Sequence, residues 1–341
     1  MKPPISVSPR NVAVIGATGA VGAEMLRCLE QRQFPVASLR AFASERSVGK
    51  TVIFKGQPVT LEALTTTAFA GVHLALFASS AAVSREFVPA AVAQGAVVVD
   101  NSSAFRMERG TPLIVPEVNA AAMLVHRGVI ANPNCVAAII AMALAPLHKL
   151  VPLRRVIAST YQAASGAGAA AMAELEASTR AYLAGEAFTP RVLPHPYAFN
   201  LFSHNAAVDA ASGYNGEEDK AMNEIRKVMA LPALRIGMTC VRVAVLRAHS
   251  MSLNLEFEKP ICVDDARRAL AATRGVRVVD DRGRNYFPMP VDASGADDVL
   301  VGRIRTDLSD PSGCSLALFI SGDQLRKGAA LNAVQIAERL N

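Results

Sequence analysis

Tryptophan is absent from this 341-residue chain, and aromatic residues make up only 5% of it. A protein that stacks bases on rings beside a basic stripe needs more of both. The net charge of +6 is spread along the sequence with no long basic block. Nucleic acid is therefore not an expected partner, and small anions are the ligands that such a mild positive balance suits. Cysteines are few: Cys28, Cys135, Cys240, Cys262 and Cys314. Their number is odd, their spacings are irregular and no CxxC pair occurs, so neither a disulfide framework nor a metal site is expected. The reducing cytoplasm is the expected compartment. Also missing is an apolar run of the roughly 20 residues that a bilayer-spanning helix requires, so no membrane span is expected. The opening "MKPPISVSPR" lacks the apolar centre of a secretory signal and is short for a transit peptide. It reads as a loose leader before a first strand at Asn11.

What the chain does have is apolar content, 51% against 19% charged. That balance fits a packed globule, and the length asks for two domains. "NVAVIG" (11–16) is a short apolar run ending in glycine, and residues 20–32 then carry apolar side chains at helical spacing. "ASLRAFAS" (37–44), "VHLALFAS" (72–79) and "AVVVD" (96–100) read as further buried strands, and 80–95 as a helix ending at Gly95. Strands alternating with helices predict a parallel sheet. After about residue 133 the pattern changes. Long strand-like stretches at 154–165, 234–248 and 250–258 surround helical segments near 168–184 and 216–229, with a loop at 190–213. This half reads as α+β with a mostly antiparallel sheet. Residues 321–340 read as one helix with a broad apolar face.

"GATGAVG" sets Gly16, Gly19 and Gly22 between a strand and a helix. Glycine permits a sharp turn and close approach to a phosphate, and the helix N-terminus offers N–H donors. A turn of this kind can also stand without a ligand. At the end of the second strand, "RAFASERSVGK" (40–50) has Ser44, Arg46 and Ser47, with Lys50 nearby, where an acidic residue would hold a ribose 2′-hydroxyl. Those residues suit a 2′-phosphate, hence NADP over NAD. The alternative is a solvated basic loop, which Glu45 keeps open.

Cys135 follows Asn-Pro-Asn at a helix start. Thiolate is the reactive form of cysteine, a helix N-terminus favours it, and the N–H groups there can bind an oxyanion. On position alone an inert core thiol is the commoner fate. His249, closing the strand-like run "CVRVAVLRAH", offers the base that a nucleophile needs. The other five histidines show no comparable setting. Arg106 follows "NSSAF" after the strand at 96–100, and Arg242 lies seven residues before His249. In a regular strand that odd separation puts Arg242 and His249 on opposite faces, so sharing a site requires a bend between them. Glu217 and Lys220, three apart on a helix, fit one face, as an exposed ion pair also would.

Taken together, "VAVIGATGAVG", "FASERSVGK", "DNSSAFRM", "VPEVN", "ANPNC", "STYQAASGAG", "YAFNLFSHN", "GYNGEEDK", "VRVAVLRAHS" and "QLRKGAALNAVQIAE" resemble the aspartate-β-semialdehyde dehydrogenase family from about residue 11 to 340. The resemblance implies a Rossmann-type NADP-binding domain over 1–133 and a catalytic and dimerisation domain over 134–320. The C-terminal helix, 321–341, would return to the first domain. It implies reduction of aspartyl β-phosphate by NADPH, through a cysteine thioester, to aspartate semialdehyde and phosphate. That step serves lysine, threonine, methionine and isoleucine synthesis. It implies a homodimer, or a dimer of such dimers. Cys135 matches the nucleophile and His249 the acid/base. Arg106 and Lys220 match phosphate-binding residues, and Asn134 lies beside the nucleophile. Arg242 matches the partner of the substrate carboxylate, Glu217 that of its amino group, and Gln162 a residue that orients substrate. Gly16, Thr18, Gly19, Ala20 and Val21 match the pyrophosphate loop, Ser165 and Gly166 the approach to the nicotinamide, and Gln324 a cofactor contact on the C-terminal helix. Four positions depart from the family's habit: Val136 and Ala137 stand where Ser or Thr usually follows the cysteine, Ala244 where proline is common, and Met251 where a glutamate often follows "RAHS". Two other readings stand beside this one: an acyl-phosphate reductase of the N-acetyl-γ-glutamyl-phosphate type, and a catalytically silent NADP-binding relative.

Overall fold

A computed structural model describes residues 8–340. Residues 1–7, most of the expected leader, and Asn341 lie outside it. Two compact units divide the chain: one runs up to Asn134 and resumes at Ala329, and the other is Cys135–Gly328.

In the first unit the elements are β1 (Arg10–Ile15), α1 (Ala20–Gln31), β2 (Val36–Ala43), β3 (Thr51–Phe54), β4 (Gln57–Ala63), β5 (Leu74–Phe77), α2 (Ala81–Ala93), β6 (Val97–Asp100), α3 (Pro116–Asn119) and β7 (Val129–Ala131). The sheet order is β3-β4-β2-β1-β5-β6-β7. Its ladders are parallel except for the β3–β4 hairpin. The chain order turns at β1, with β2 on one side and β5 on the other, and such a switch point opens a crevice beyond the strand ends. β1 is buried on both faces, as a sheet covered by helices requires. Val12 and Val14 pack with Met25 and Leu29 of α1, while Ala13 and Ile15 join Phe77 and the α2 residues Val88 and Ala91.

The second unit comprises α4 (Cys135–Leu150), β8 (Leu153–Gln162), α5 (Ala169–Ala184), β9 (Leu201–Ser203), α6 (Gly216–Val228), β10 (Arg235–Val243), β11 (His249–Phe257), α7 (Val263–Ala271), β12 (Val276–Val278), α8 (Pro290–Ala293), β13 (Val299–Thr306) and β14 (Ser315–Gly322). Its sheet runs β12-β13-β14-β11-β8-β10-β9. Only β8–β10 and β12–β13 pair in parallel. α4 is buried continuously from Val136 to Ala145, which marks it as the central helix of this unit. After the second unit, α9 (Leu331–Ala337) belongs to the first, where Leu331, Val334 and Ile336 share the core of α1. Among the described residues no helix is long and apolar enough to cross a membrane.

Two expected elements are drawn differently. The run 234–248 is not one strand: β10 stops at Val243 and β11 starts at His249. Between them Ala248 takes a left-handed φ of 71°. The turn is held from outside, because the carbonyls of Val245 and Leu246 accept from the N–H groups of Ala164 and Ser165. His249 therefore opens a strand rather than closing one. Nor are residues 321–340 one helix. Ser321 and Gly322 still belong to β14, paired with Ser250 and His249 of β11. Buried Asp323 then accepts from Arg247 Nε at 2.7 Å, Gly295 N at 2.6 Å and Leu325 N at 2.9 Å. These bonds fix a non-helical corner, one π turn follows at Arg326–Ala330, and α-helix begins only at Leu331. Residues 321–328 thus stay with the second unit, and the change of unit falls at 328/329 rather than 320/321.

Candidate active site

Cys135 is the first residue of α4 and is partly exposed. The segment after β14 passes close by. A Cβ built on Gly328 would lie 2.8 Å from Cys135 Cβ and 3.2 Å from Gln324 Cβ, so only glycine lets this backbone run past the thiol-bearing residue. Gln324 is not on a helix. Its amide is locked, Oε1 accepting from Ala248 N at 3.0 Å and Nε2 donating to Ser165 Oγ. It ties the corner after β14 both to the turn before His249 and to the segment that follows β8.

His249 is fully buried. Its Nδ1 accepts from Ala163 N at 3.0 Å. The neutral ring therefore carries its proton on Nε2, and that nitrogen has no hydrogen-bond partner among the described residues. Burial, with the Arg242 charge next and His204 after it, holds the imidazole well below its usual pKa. The bend at 244–248 brings Arg242 to the same place. A Cβ on Gly166 would fall 2.9 Å from Arg242 Nη1 and 2.9 Å from His249 Nε2. The odd spacing that separates these two residues on a regular strand is cancelled by the intervening turn.

Gln162 ends β8, with Oε1 accepting from Thr160 Oγ1 at 3.0 Å and Nε2 donating to Glu217 Oε1 at 3.2 Å. Glu217 is set by the first turn of α6, a capping box in which Asn215 Oδ1 accepts from the N–H groups of Glu217 and Glu218. The Glu218 carboxylate in turn accepts from Asn215 N and, at 2.8 Å, from Cys240 N of β10. Burial drives the Cys240 thiol up to about 12, so it stays protonated and inert. Lys220 is exposed on the same helix. The charges of Glu217, Arg242 and Lys220 all act on His204.

The remaining candidates belong to the first unit. Gly16 turns with φ 81°, and a Cβ there would sit 2.4 Å from Ala78 O. A Cβ on Gly22 would strike Gly16 O at 2.1 Å, so α1 packs against the turn as it does only because residue 22 is glycine. Thr18 and Gly19 are exposed, Ala20 and Val21 open α1, and Gly19 caps it without a side chain. The first N–H groups of α1 have no acceptor within the helix, and the exposed turn before them fits a pyrophosphate. Ser44 and Arg46 are exposed and Ser47 partly so, just past the end of β2. Arg106 is 9% exposed, donating from Nε to Asn132 O at 2.9 Å and from Nη2 to Asn101 O at 2.6 Å. Asn134 is buried at the end of this unit's first segment.

Residues 11–126 match the family model "Semialdehyde dehydrogenase, NAD binding domain", and residues 144–327 match "Semialdehyde dehydrogenase, dimerisation domain". Over 333 residues, 98% of each chain, the sequence is 51% identical to an aspartate-semialdehyde dehydrogenase of Synechocystis sp.. The chain belongs to the aspartate-semialdehyde dehydrogenase family. It is 44% identical to the Bacillus subtilis member, with 97% of each chain covered. The structure of aspartate semialdehyde dehydrogenase II from Vibrio cholerae complexed with ASA superposes with a TM-score of 0.93 at 39% identity, covering 97% of this chain and 98% of that one. Against this aspartate-semialdehyde dehydrogenase background, His204 is the residue that sequence reasoning passed over. Its Nε2 lies 2.8 Å from Arg242 Nη2. The available signal was the pairing of "LFS" with the strand carrying Arg242, and three residues in a Pro- and Asn-rich loop are too few to reveal it by periodicity.

Proposed function

We propose that this chain performs the reaction its relatives are named for, the NADPH-dependent reductive dephosphorylation of aspartyl β-phosphate to aspartate β-semialdehyde, in amino-acid biosynthesis in the cytoplasm. The observation that carries this reading is the unpartnered, buried Nε2 of His249 beside Arg242, in the unit whose central helix begins with Cys135.

NADP fits the first unit: the glycine turn leaves room for a pyrophosphate at the start of α1, where N–H groups lack helical acceptors, and Ser44, Arg46 and Ser47 offer a cation and hydroxyls to a 2′-phosphate. When bound, the cofactor supplies the hydride. The protein's own residues do the rest. The Cys135 thiolate, favoured by the helix N-terminus, attacks the acyl carbon. Phosphate leaves and a thioester remains on Sγ. Arg106 and Lys220 are assigned to phosphate, with Asn134 beside the nucleophile. Arg242 is assigned to the α-carboxylate and Glu217, steadied by Gln162, to the α-amino group. As the thioester is reduced to a hemithioacetal, His249 Nε2 is the atom that exchanges a proton with the substrate oxygen. Collapse of the hemithioacetal frees the aldehyde and restores Sγ. Ser165 and Gly166 are assigned to the nicotinamide side. Gln324, whose amide is already engaged, acts there by holding Ser165.

The reverse assay tests this reading. Purified protein with NADP and aspartate semialdehyde is expected to form NADPH only when phosphate is added, and Cys135→Ser to bind NADPH without turning over. Turnover confined to the N-acetylated glutamate semialdehyde would select the other reductase class. NADPH binding with no phosphate-dependent turnover on either aldehyde would mark a silent relative.

A further inference from the structure

The Arg242 side chain is 3% exposed and carries five N–H donors. Nε donates to Asn205 Oδ1 at 3.3 Å, Nη1 to Ala163 O at 3.2 Å and Nη2 to His204 Nε2 at 2.8 Å. One N–H then remains on each terminal nitrogen, the pair that a carboxylate accepts as a fork. His204 is set against this group by backbone pairing. β9 lies antiparallel to the end of β10, and His204 N, one residue further, donates to Cys240 O at 2.9 Å.

A guanidinium can only donate, so His204 Nε2 must offer its lone pair, which it does only when the ring is uncharged. Nδ1 lies 3.2 Å from Ala206 N, a second donor, and a neutral imidazole can accept at only one nitrogen; the shorter contact, 2.8 Å to the charged guanidinium, takes the lone pair, and the proton sits on Nδ1. The groups acting on the ring are Glu217 and Lys220 from α6 and Arg242 from β10. Burial and the two cations outweigh Glu217 and push the imidazole down to about 4, so the lone pair is available at neutral pH.

We propose that His204 is a positioning residue for substrate recognition: its Nε2 holds the Arg242 guanidinium so that the remaining fork faces the α-carboxylate of the amino-acid aldehyde. This rests on the assignment of Arg242 to that carboxylate. His204 does not touch the reacting atoms, so its loss should alter which aldehyde is taken rather than how fast the thioester is reduced.

The test compares wild-type protein with His204→Ala, His204→Gln and Arg242→Lys, on aspartate semialdehyde and on 3-aminopropanal, which lacks the carboxylate. His204→Ala is expected to raise the KM for aspartate semialdehyde roughly tenfold, the loss of one charge-assisted contact, and to leave the KM for phosphate and the kcat/KM for 3-aminopropanal within about twofold. His204→Gln, whose Oε1 can stand where the Nε2 lone pair was, should restore the KM to within about threefold by supplying the same kind of acceptor. Arg242→Lys should raise that KM with the same selectivity. Equal losses on both aldehydes, or no recovery with glutamine, would overturn the positioning role while Arg242→Lys still reports on the carboxylate. An unchanged KM in Arg242→Lys would remove the carboxylate assignment and the role of His204 with it.

Discussion

At the scale of single residues, Gly166 decides whether the site can close around a substrate. It is exposed, yet any side chain there meets Arg242 Nη1 and His249 Nε2 at 2.9 Å. Gly166→Ala should therefore cost roughly a hundredfold in kcat/KM, the scale expected when reacting groups are displaced by about 1 Å. Thermal stability should hardly change, since the clash is with side chains that can yield. Activity within a few-fold of wild type would place the site elsewhere. Buried His249 and partly buried His204 also set a pH dependence. His204 titrates near 6.5 when unfolded and is lowered to about 4 in the fold, and burial holds His249 well below its usual value too. Below pH 6.5 the unfolded chain binds these protons and the folded chain does not, so stability is lost as pH falls through that value. The urea midpoint should be level from pH 8 to about 7 and decline toward pH 5, and His204→Gln should decline less steeply. Parallel slopes would mean that His204 is not held neutral. Cys135 and His249 were legible as candidates because thiol, helix start and imidazole are chemically distinctive. His204 was not, because its importance comes from the guanidinium it faces, and that partner is supplied by strand pairing 38 residues away.

Elements transmit such details over longer distances, and α6 shows how. Its capping box fixes the first turn, Glu218 fastens that turn to β10, and Glu217 thereby meets Gln162. Asn215→Ala should cost about 1 kcal/mol of stability, the usual loss for an N-cap, measured as a shift in urea midpoint. Because Glu217 sits in the turn that frays, the KM for aspartate semialdehyde should rise as well, with the Kd for NADP unchanged. A stability loss without that KM change would show that Glu217 is held by Gln162 alone. The helix at 216–229 was legible from its period, and the acidic first turn agrees with it. The β3–β4 hairpin was not foreseen. Its strands mix exposed Thr51, Ile53, Gln57 and Pro58 with a few buried residues, so neither alternation nor a continuous apolar run stands out. The boundary near residue 321 was misplaced for another reason. "SGDQL" carries apolar and polar residues at spacings that suit a helix, and only the tertiary partners of Asp323 impose a corner.

For the whole molecule, the change from short alternating strands and helices to long strands near residue 133 was enough to place two units. Their joint ownership of the C-terminus was legible only through the family resemblance, because α9 reads as an ordinary apolar helix until its partner α1 is known. The match to a dimerisation domain lies over the second unit, and the outer face of its sheet is the surface to test as the interface. β8 alternates strictly over its second half. Val156, Ala158 and Thr160 are buried on the α4 side, whereas Ile157, Ser159 and Tyr161 face away, with Tyr161 38% exposed. Exposed Thr239 and half-buried Phe319 extend that outer face, where the Tyr161 and Phe319 rings lie 6.1 Å apart. Tyr161→Glu with Phe319→Glu puts two carboxylates on this surface and should convert the dimer into monomer in sedimentation velocity, because an apolar interface core does not accept unpaired charge. The consequence for activity follows from the pleat. Tyr161 precedes Gln162, so the outer face and the substrate side of the sheet are one residue apart. Loss of the dimer should therefore lower kcat on aspartate semialdehyde while NADP binding through the glycine turn of the other unit persists. A variant that stays dimeric would exclude this face. A monomer with full kcat would show that Gln162 is held by Thr160 and Glu217 without help from the partner.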